Sequence, residues 1–361
     1  MIGPTLGRYF SLRFARTIAG VFGTIFLLIY IIDFVEMLRR TSGLPTITPA
    51  FIAFLSFLRV PSVAEQALPF AILGGAMFSF LGLSRRLELV VARAAGVSVW
   101  QFLTPPLLIV FGFGLFSIMF YNPVSATLKQ RADAIETRLF GRSAGSNTDS
   151  GLWIRQKSVD GQAIIRAEES SDRGTVLARV TAFVYEPDGS FLERIEAGRA
   201  QLNPGFWKMD DVRVTSPVDA PRAVDTYLLA TDLTPAQVSQ SFVSPDSVSF
   251  WELPRLASIV EGAGLNATGY KLQFQSLLAQ PLLFMAMVLI AASFSLRFFR
   301  FGGITKMVSG GVIAGFMLYV GTKLVGDLGG AGLLSAAVAA WSPAIVGSMF
   351  GILVLLHQED G

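Results

Sequence analysis

Six long apolar runs, three on each side of a long polar insert, constrain this chain more than any other feature. A helix needs about 20 apolar residues to cross a bilayer. Span one reads as Phe14 to Leu38, span two as Pro61 to Leu83 and span three as Val99 to Tyr121. Span four reads as Leu272 to Leu296, span five as Met307 to Val325 and span six as Leu333 to Leu356. Helices of this length satisfy their own backbone groups in lipid. The sequence therefore predicts an α-helical membrane protein with six transmembrane helices in a three-plus-three layout and one large extramembrane domain. Arg8, Arg13 and Arg16 precede the uncharged centre of the first run, Ile18 to Ile32, as they would in a signal peptide. No small-residue cleavage site follows, because the run continues into Asp33-Phe34-Val35-Glu36 and Arg39-Arg40. An uncleaved first span is expected.

Charged residues make up 15% of the chain, against about 25% in a soluble domain. The deficit falls in the six runs, so it reflects lipid rather than a large soluble core. The net charge is only +3 and no basic block with interleaved aromatics occurs, so nucleic acid is not an expected partner. With no cysteine and one histidine, His357, disulfides, thiolate metal sites and histidine-based catalysis fall away. No metal or cofactor is expected. The pattern G-x-x-x-x-G-K-[ST] is also missing, so the chain has no Walker A loop to cradle phosphates.

Positive charge orients the spans. The N-terminal arginines, Arg85, Arg86 and Arg93 between spans two and three, and Arg297, Arg300 and Lys306 between spans four and five share one side if the spans alternate. The opposite side carries Arg39, Arg40 and Arg59 in its first loop and no Lys or Arg after span five. Both termini are then cytoplasmic and the insert lies outside, in the periplasm of a two-membrane bacterium. The Arg39-Arg40 pair runs against the rule, which points to a specific role.

The insert reads as mostly β. Candidate strands are 152–156, 163–167, 176–185, 191–196, 199–202, 206–209, 212–215 and 224–229. Val176, Ala178, Val180, Ala182 and Val184 fall on one face of an extended strand, and Asp160-Gly161, Asp188-Gly189 and Asn203-Pro204-Gly205 mark turns. Short strands at close spacing suit a sandwich or jelly roll. Ala126 to Phe140 reads as a helix continuing span three, and Ser249 to Glu261 as a short amphipathic helix.

Between spans two and three, residues 84–96 form a helix on propensity, with Gly96 as its stop. Leu87, Val90, Val91 and Ala94 make an apolar stripe, while Arg86, Glu88 and Arg93 project away from its centre. Such a helix either floats at the cytoplasmic headgroups or docks a cytoplasmic partner; periodicity alone does not choose.

The run Arg86-Leu87-Glu88-Leu89-Val90-Val91-Ala92-Arg93-Ala94-Ala95-Gly96 resembles the coupling-helix signature of the lipopolysaccharide export permeases, the LptF/LptG family. Phe34-Val35-Glu36-Met37-Leu38-Arg39-Arg40 resembles the end of the first span of the G-type subunit. Ser244-Pro245-Asp246-Ser247-Val248-Ser249 and Gln280-Pro281-Leu282 resemble further family segments, and Gly151-Leu152-Trp153 again favours the G type. The resemblance implies a periplasmic β-jelly-roll domain inserted between helices 3 and 4. The layout is then 1–121 for spans one to three with a coupling helix at 84–96, 122–270 for the β-domain with flanking helices, and 271–361 for spans four to six.

It also implies a permease subunit of an ABC transporter in the bacterial inner membrane that draws lipopolysaccharide from the periplasmic leaflet. The implied partners are a homodimeric cytoplasmic ATPase of the LptB type, an F-type permease subunit, a single-span periplasmic jelly-roll protein (LptC-like) and a periplasmic bridge protein (LptA-like). Glu88, with Arg86, Arg93, Leu87 and Val90, would contact the ATPase. Arg39 and Arg40 suit lipid phosphates because guanidinium offers forked, charge-assisted donors; the plainer reading is that they anchor the helix end by snorkelling. Glu36, Lys129, Arg131 and Lys323 complete the implied lipopolysaccharide set, with Asp327 placed to neutralise Lys323. Asp33 departs from the family pattern, where a lysine can stand. Other readings are the F-type subunit, a membrane-anchored periplasmic sensor or scaffold, and an intramembrane enzyme using Asp33 with Glu36 or Asp210 with Asp211 as an acid–base pair.

Overall fold

Among the described residues, six helices are long and apolar enough to cross a membrane. The computed structural model describes all residues except 1–3, 43–47, 86–87, 89–90, 92–93, 95, 97, 141–151, 159–160, 172–173, 218, 236–237, 239–242, 263–264, 297–303 and 361. Two units emerge: residues 1–129 with 272–361, and residues 130–271.

In the first unit, α1 (Pro4–Thr41) and α2 (Pro49–Arg85) lie antiparallel. Their contacts form a ladder. The Phe14 and Phe80 rings are 5.7 Å apart, Tyr30 Oη donates to the Ala53 carbonyl at 3.2 Å, and Arg59 pairs with Asp33 at 3.7 Å. A Cβ at Gly75 would fall 2.8 Å from Ile18 Cα, so only glycine permits this approach. Span two begins earlier than the sequence indicated. Pro61 lies inside α2 instead of bounding it, and Pro69 lies inside it as well. A proline is tolerated inside a membrane helix, and the Pro61 carbonyl additionally accepts from Tyr121 Oη at 2.9 Å. Arg59 is accordingly a residue of α2 and not of a loop.

Span three consists of α3 (Val99–Phe116) and a π-helical turn, Ser117–Tyr121, before α4 (Asn122–Phe140). The remaining spans are α6 (Thr268–Ser295), α7 (Ile304–Gly330) and α8 (Ala336–Asp360), with α5 (Leu253–Gly262) preceding them in the insert. Phe80, Ile72, Leu103, Phe284, Met287 and Ala291 build the core from α2, α3 and α6. The second half of α6, from Phe284 to Ala292, is apolar on every side and almost entirely buried. Gly114 of α3 lies against Pro281, where an added Cβ would come within 2.7 Å of Pro281 Cα. Much of α1 and α7 stays uncovered, leaving Leu27, Leu28, Ile31, Ile32 and Val35, and Ile313, Phe316, Met317 and Leu324, exposed.

In the second unit, β1 (Leu152–Ser158), β2 (Gly161–Ser171), β3 (Val176–Tyr185), β4 (Phe191–Asn203), β5 (Phe206–Thr215) and β6 (Arg222–Ala230) form one antiparallel sheet in sequential order. The sheet is rolled. Laid flat, it would hold β1 and β6 about 24 Å apart, at about 4.8 Å per strand. Instead, Gln156 of β1 donates through Nε2 to the Ala230 carbonyl of β6 at 3.1 Å. Gln156 Oε1 accepts from Trp207 Nε1 at 2.9 Å and from Thr231 Oγ1 at 2.6 Å. The predicted β-domain is thus an up-and-down sheet curled round a buried apolar face, which includes Trp207, Ile165, Ile195 and Leu177.

A transverse crease assists the roll. Arg179 (φ +50°) and Asp211 (φ +56°) occupy the left-handed region. The ladders skip the row Glu168, Arg179, Gly198 and Asp211 across β2 to β5. At Gly198 an added Cβ would fall 3.4 Å from Asp211 Cβ and Oδ2. Each crossing shifts the side-chain alternation by one: Ile195 and Ala197 are buried, then Ala200 and Leu202. This corrects three expectations. Residues 191–202 and 206–215 each belong to one creased strand. Asp210 and Asp211 therefore lie inside β5. On β3, Val180, Ala182 and Val184 share the buried face with Leu177, whereas Val176 and Ala178 do not. The turn glycines Gly161, Gly189 and Gly205 all have positive φ, as their turns require.

The family-like segment at 244–249 contains a 3₁₀ turn, Pro245–Ser247. Gln130 Nε2 on α4 donates to the Ser247 carbonyl at 2.7 Å, and Ser247 Oγ donates to Asp133 Oδ2 at 3.1 Å. The amphipathic helix begins at Leu253 rather than Ser249, with Pro254 in its first turn, where a missing N–H costs little.

Candidate functional site

Charged groups gather at both ends of α1. At the cytoplasmic end they involve the segment that follows α2. Glu88, Val91 and Ala94 have helical backbone, and Gly96 (φ +82°) adopts the left-handed form of a helix stop. Ser98 then caps α3: Gln101 N donates to Ser98 Oγ at 3.2 Å, and Ser98 N donates to Gln101 Oε1 at 3.4 Å. Arg86, Leu87, Val90 and Arg93 lie outside the described residues. Val91 is 68% exposed. Glu88 is paired with Arg13 of α1, whose Nη1 lies 3.1 Å from Oε1 and 3.3 Å from Oε2. A partner 75 positions away leaves no periodic trace.

At the outer end, Glu36 sits between two arginines. Arg39 Nε donates to Glu36 Oε2 at 3.0 Å, and Arg40 Nε donates to Glu36 Oε1 at 2.8 Å. Their side chains are 79% and 58% exposed. Two guanidiniums share one carboxylate, so one net positive charge remains. An arginine has five N–H donors, and Glu36 accepts two from Arg39 and one from Arg40. The cluster can therefore still take an anion.

Asp33 is drawn away from Glu36 and toward α2, where Arg59 pairs with it and also lies 3.0 Å from Met37 Sδ. Asp33 and Glu36 thus face different partners and do not form a carboxylate dyad. Asp210 takes Lys208 at 3.7 Å and the Thr226 hydroxyl at 3.4 Å, while Asp211 forms the crease. Neither acid–base pair from the sequence is assembled.

The other expected cations are dispersed. Lys129 is half-buried on α4 and closes the first unit. Arg131 is exposed on α4 and belongs to the second. Lys323 is exposed on α7, and among the described residues no ion pair joins it to Asp327, contrary to the expected neutralisation.

Sequence reading missed a polar knot in span two. Glu65 accepts from Asn122 Nδ2 at 2.9 Å and from Ser125 Oγ at 2.7 Å, just beyond the π turn. A lone acid in an apolar run is itself a signal of function or of a specific partner; the π turn, a device frequent at functional sites, is invisible in one dimension.

Three comparisons bear on this arrangement. The family described as "Lipopolysaccharide export system permease LptF/LptG" matches residues 8–357. The chain is 24% identical over 366 residues to "Lipopolysaccharide export system permease protein LptG" of Haemophilus influenzae, covering 98% of this chain and 96% of that one. It is 23% identical over 329 residues to the LptG protein of Escherichia coli K12, covering 90% of each. Six spans, an intervening β-domain and a family match over nearly all its length make this chain a member of the LptF/LptG family of lipopolysaccharide export permeases.

Proposed function

We propose that this chain is the G-type permease subunit of an ABC exporter that lifts lipopolysaccharide out of the periplasmic leaflet of the inner membrane. The observation that carries the reading is the distribution of charge and apolar surface along α1. A cytoplasmic carboxylate, Glu88, is bound at one end, an exposed guanidinium pair stands at the other, and an uncovered apolar face lies between them. That is the chemistry of an anionic amphiphile with phosphates above and acyl chains below.

Energy comes from a separate homodimeric ATPase, which takes Glu88 and its neighbours at 84–96 as the contact. An F-type subunit completes the membrane part, and lipid enters between span one of one subunit and span five of the other. Both spans leave broad apolar faces uncovered in the single chain, which supports their role as walls of the path. Span two is largely interior and contributes less of that wall. The rolled sheet then receives the acyl chains and passes them by edge-strand pairing to a single-span jelly-roll partner and a bridge protein. Arg39 and Arg40 hold the phosphates, with Lys129, Arg131 and Lys323 as further cations along the route.

Co-purification in detergent from a Gram-negative host tests this reading. An ATPase and a second permease chain should accompany the protein, and hydrolysis should respond to added lipopolysaccharide. A chain that purifies alone and exports without a nucleotide-consuming partner overturns it.

A further inference from the structure

We propose that Arg13 is a positioning residue for energy coupling: it holds the Glu88 carboxylate against α1, so that movement of the coupling segment is delivered to that helix. The inference rests on the reading of Glu88 as the ATPase contact and adds the link by which the contact is used.

Three observations converge on Arg13. Its guanidinium reaches both Glu88 oxygens, at 3.1 and 3.3 Å, and donates to Tyr9 Oη at 3.1 Å. Its path runs over Gly82 near the end of α2, where an added Cβ would fall 2.9 Å from Arg13 Nη2. The α2 helix thus leaves a slot for this side chain immediately before the segment that bears Glu88. The base of the arginine is rigidly seated. Phe10, Phe14 and Ile18 are buried around it, with Phe10 edge-on to Phe102 at 5.0 Å. The pair itself is only partly covered, with side chains 22% and 28% exposed, so a cytoplasmic partner can reach the carboxylate.

The second half of the inference concerns stiffness. Proline lies inside α2, α3, α6 and α8. Neither α1 nor α7 carries one beyond its first residue. Internal prolines are the usual sites of bending in a helix. The α1 helix is therefore an unbroken rod of about 39 Å from Arg13 to Arg39, at about 1.5 Å per residue. It is also, with α7, the span least covered by the rest of the chain. A push applied at Arg13 moves the outer arginines with it, whereas a push on a proline-containing helix is absorbed at the kink.

The test uses the full complex with its ATPase, reconstituted in vesicles, and reads lipopolysaccharide released per ATP hydrolysed. Arg13→Gln keeps the stem and removes the charge. It should retain the ATPase at full stoichiometry and hydrolyse ATP at a similar rate, while lipid released per ATP falls about fivefold or more, within the usual range of coupling energies. Arg13→Lys should restore most of the ratio. Because the chain has no cysteine, a single Val35→Cys reports on the outer half of α1. Its fluorescent label should change with ATP in the otherwise unaltered complex and stay fixed in Arg13→Gln.

Unchanged release per ATP in Arg13→Gln overturns the proposal, as does a label that still responds. Equal losses of ATPase retention and release would mean that the pair only supports the local fold, which also overturns it while leaving the Glu88 reading intact. That reading fails separately if Glu88→Ala leaves retention, hydrolysis and export all unchanged.

Discussion

The two ends of α1 use the same chemistry to opposite effect. At the cytoplasmic end an arginine and a glutamate from different elements meet in a partly covered site. At the outer end two arginines close on a glutamate of their own helix, in the open. The first pair fixes one element against another. The second is a local i, i+3 and i, i+4 cluster of the kind that contributes little to stability. An ion pair that stabilises little and consumes only part of its donors is available for another task, and an anion beside it meets preset cations. The comparison separates positioning from binding without reference to any bound lipid.

The largest break in that contrast should come from Glu88→Ala. Export should be lost, ATPase retention should fall about tenfold, equivalent to about 1.4 kcal/mol, and lipid binding by the purified permease should stay intact. Pull-down stoichiometry and a lipid-binding assay on one preparation check it. Changing both Arg39 and Arg40 to Ala should do the reverse. Lipopolysaccharide affinity should fall about 25-fold, since two cations beside an anionic surface each contribute a factor of about five. ATPase retention should not change, and the difference from the unaltered protein should shrink at high salt.

Glu36→Gln sharpens the comparison from the other side. Removal of the carboxylate frees both guanidiniums, so lipid affinity should rise by roughly twofold to threefold, a few tenths of the tenfold scale set by 1.4 kcal/mol. A fall in affinity would mean that Glu36 orients the arginines instead of competing with the ligand. The smallest effect should come from an isolated surface carboxylate in the β-domain. Asp188 is held below its ordinary value of 3.8 by hydrogen bonds from the Ser190 hydroxyl and backbone N–H. Its stabilising contribution is full above that value and is lost as pH falls through the lower folded value. Asp188→Asn should remove that fragment of acid sensitivity in a melting series and leave export unaltered.

Legibility followed range. Span number, sidedness and the β-character of the insert rest on local composition, and all were readable. The start of span two was not, because proline reads as a boundary in water and is tolerated inside a helix in lipid. The face of β3 was misread for a different reason. Val176 to Val184 offers small apolar residues at every second position, and only the left-handed backbone at Arg179 determines which ones point inward. On the functional side, the segment at 84–96 and the outer arginines stood out as runs. Arg13 and Glu65 did not, because their partners come from other helices.

Six membrane-spanning helices, a β-rich domain between their halves and basic residues at both ends of the first span are written in the amino-acid order alone. Hydropathy and charge act residue by residue against solvent, so they survive in one dimension. Folding in three dimensions is what lets Gln156 draw the first and last strands together, turns Asp33 to Arg59 and away from Glu36, and brings Arg13 to Glu88. Each of these depends on which side chains meet across a packed interface, and pairing of that kind is set by helix contact and sheet curvature rather than by neighbours along the chain.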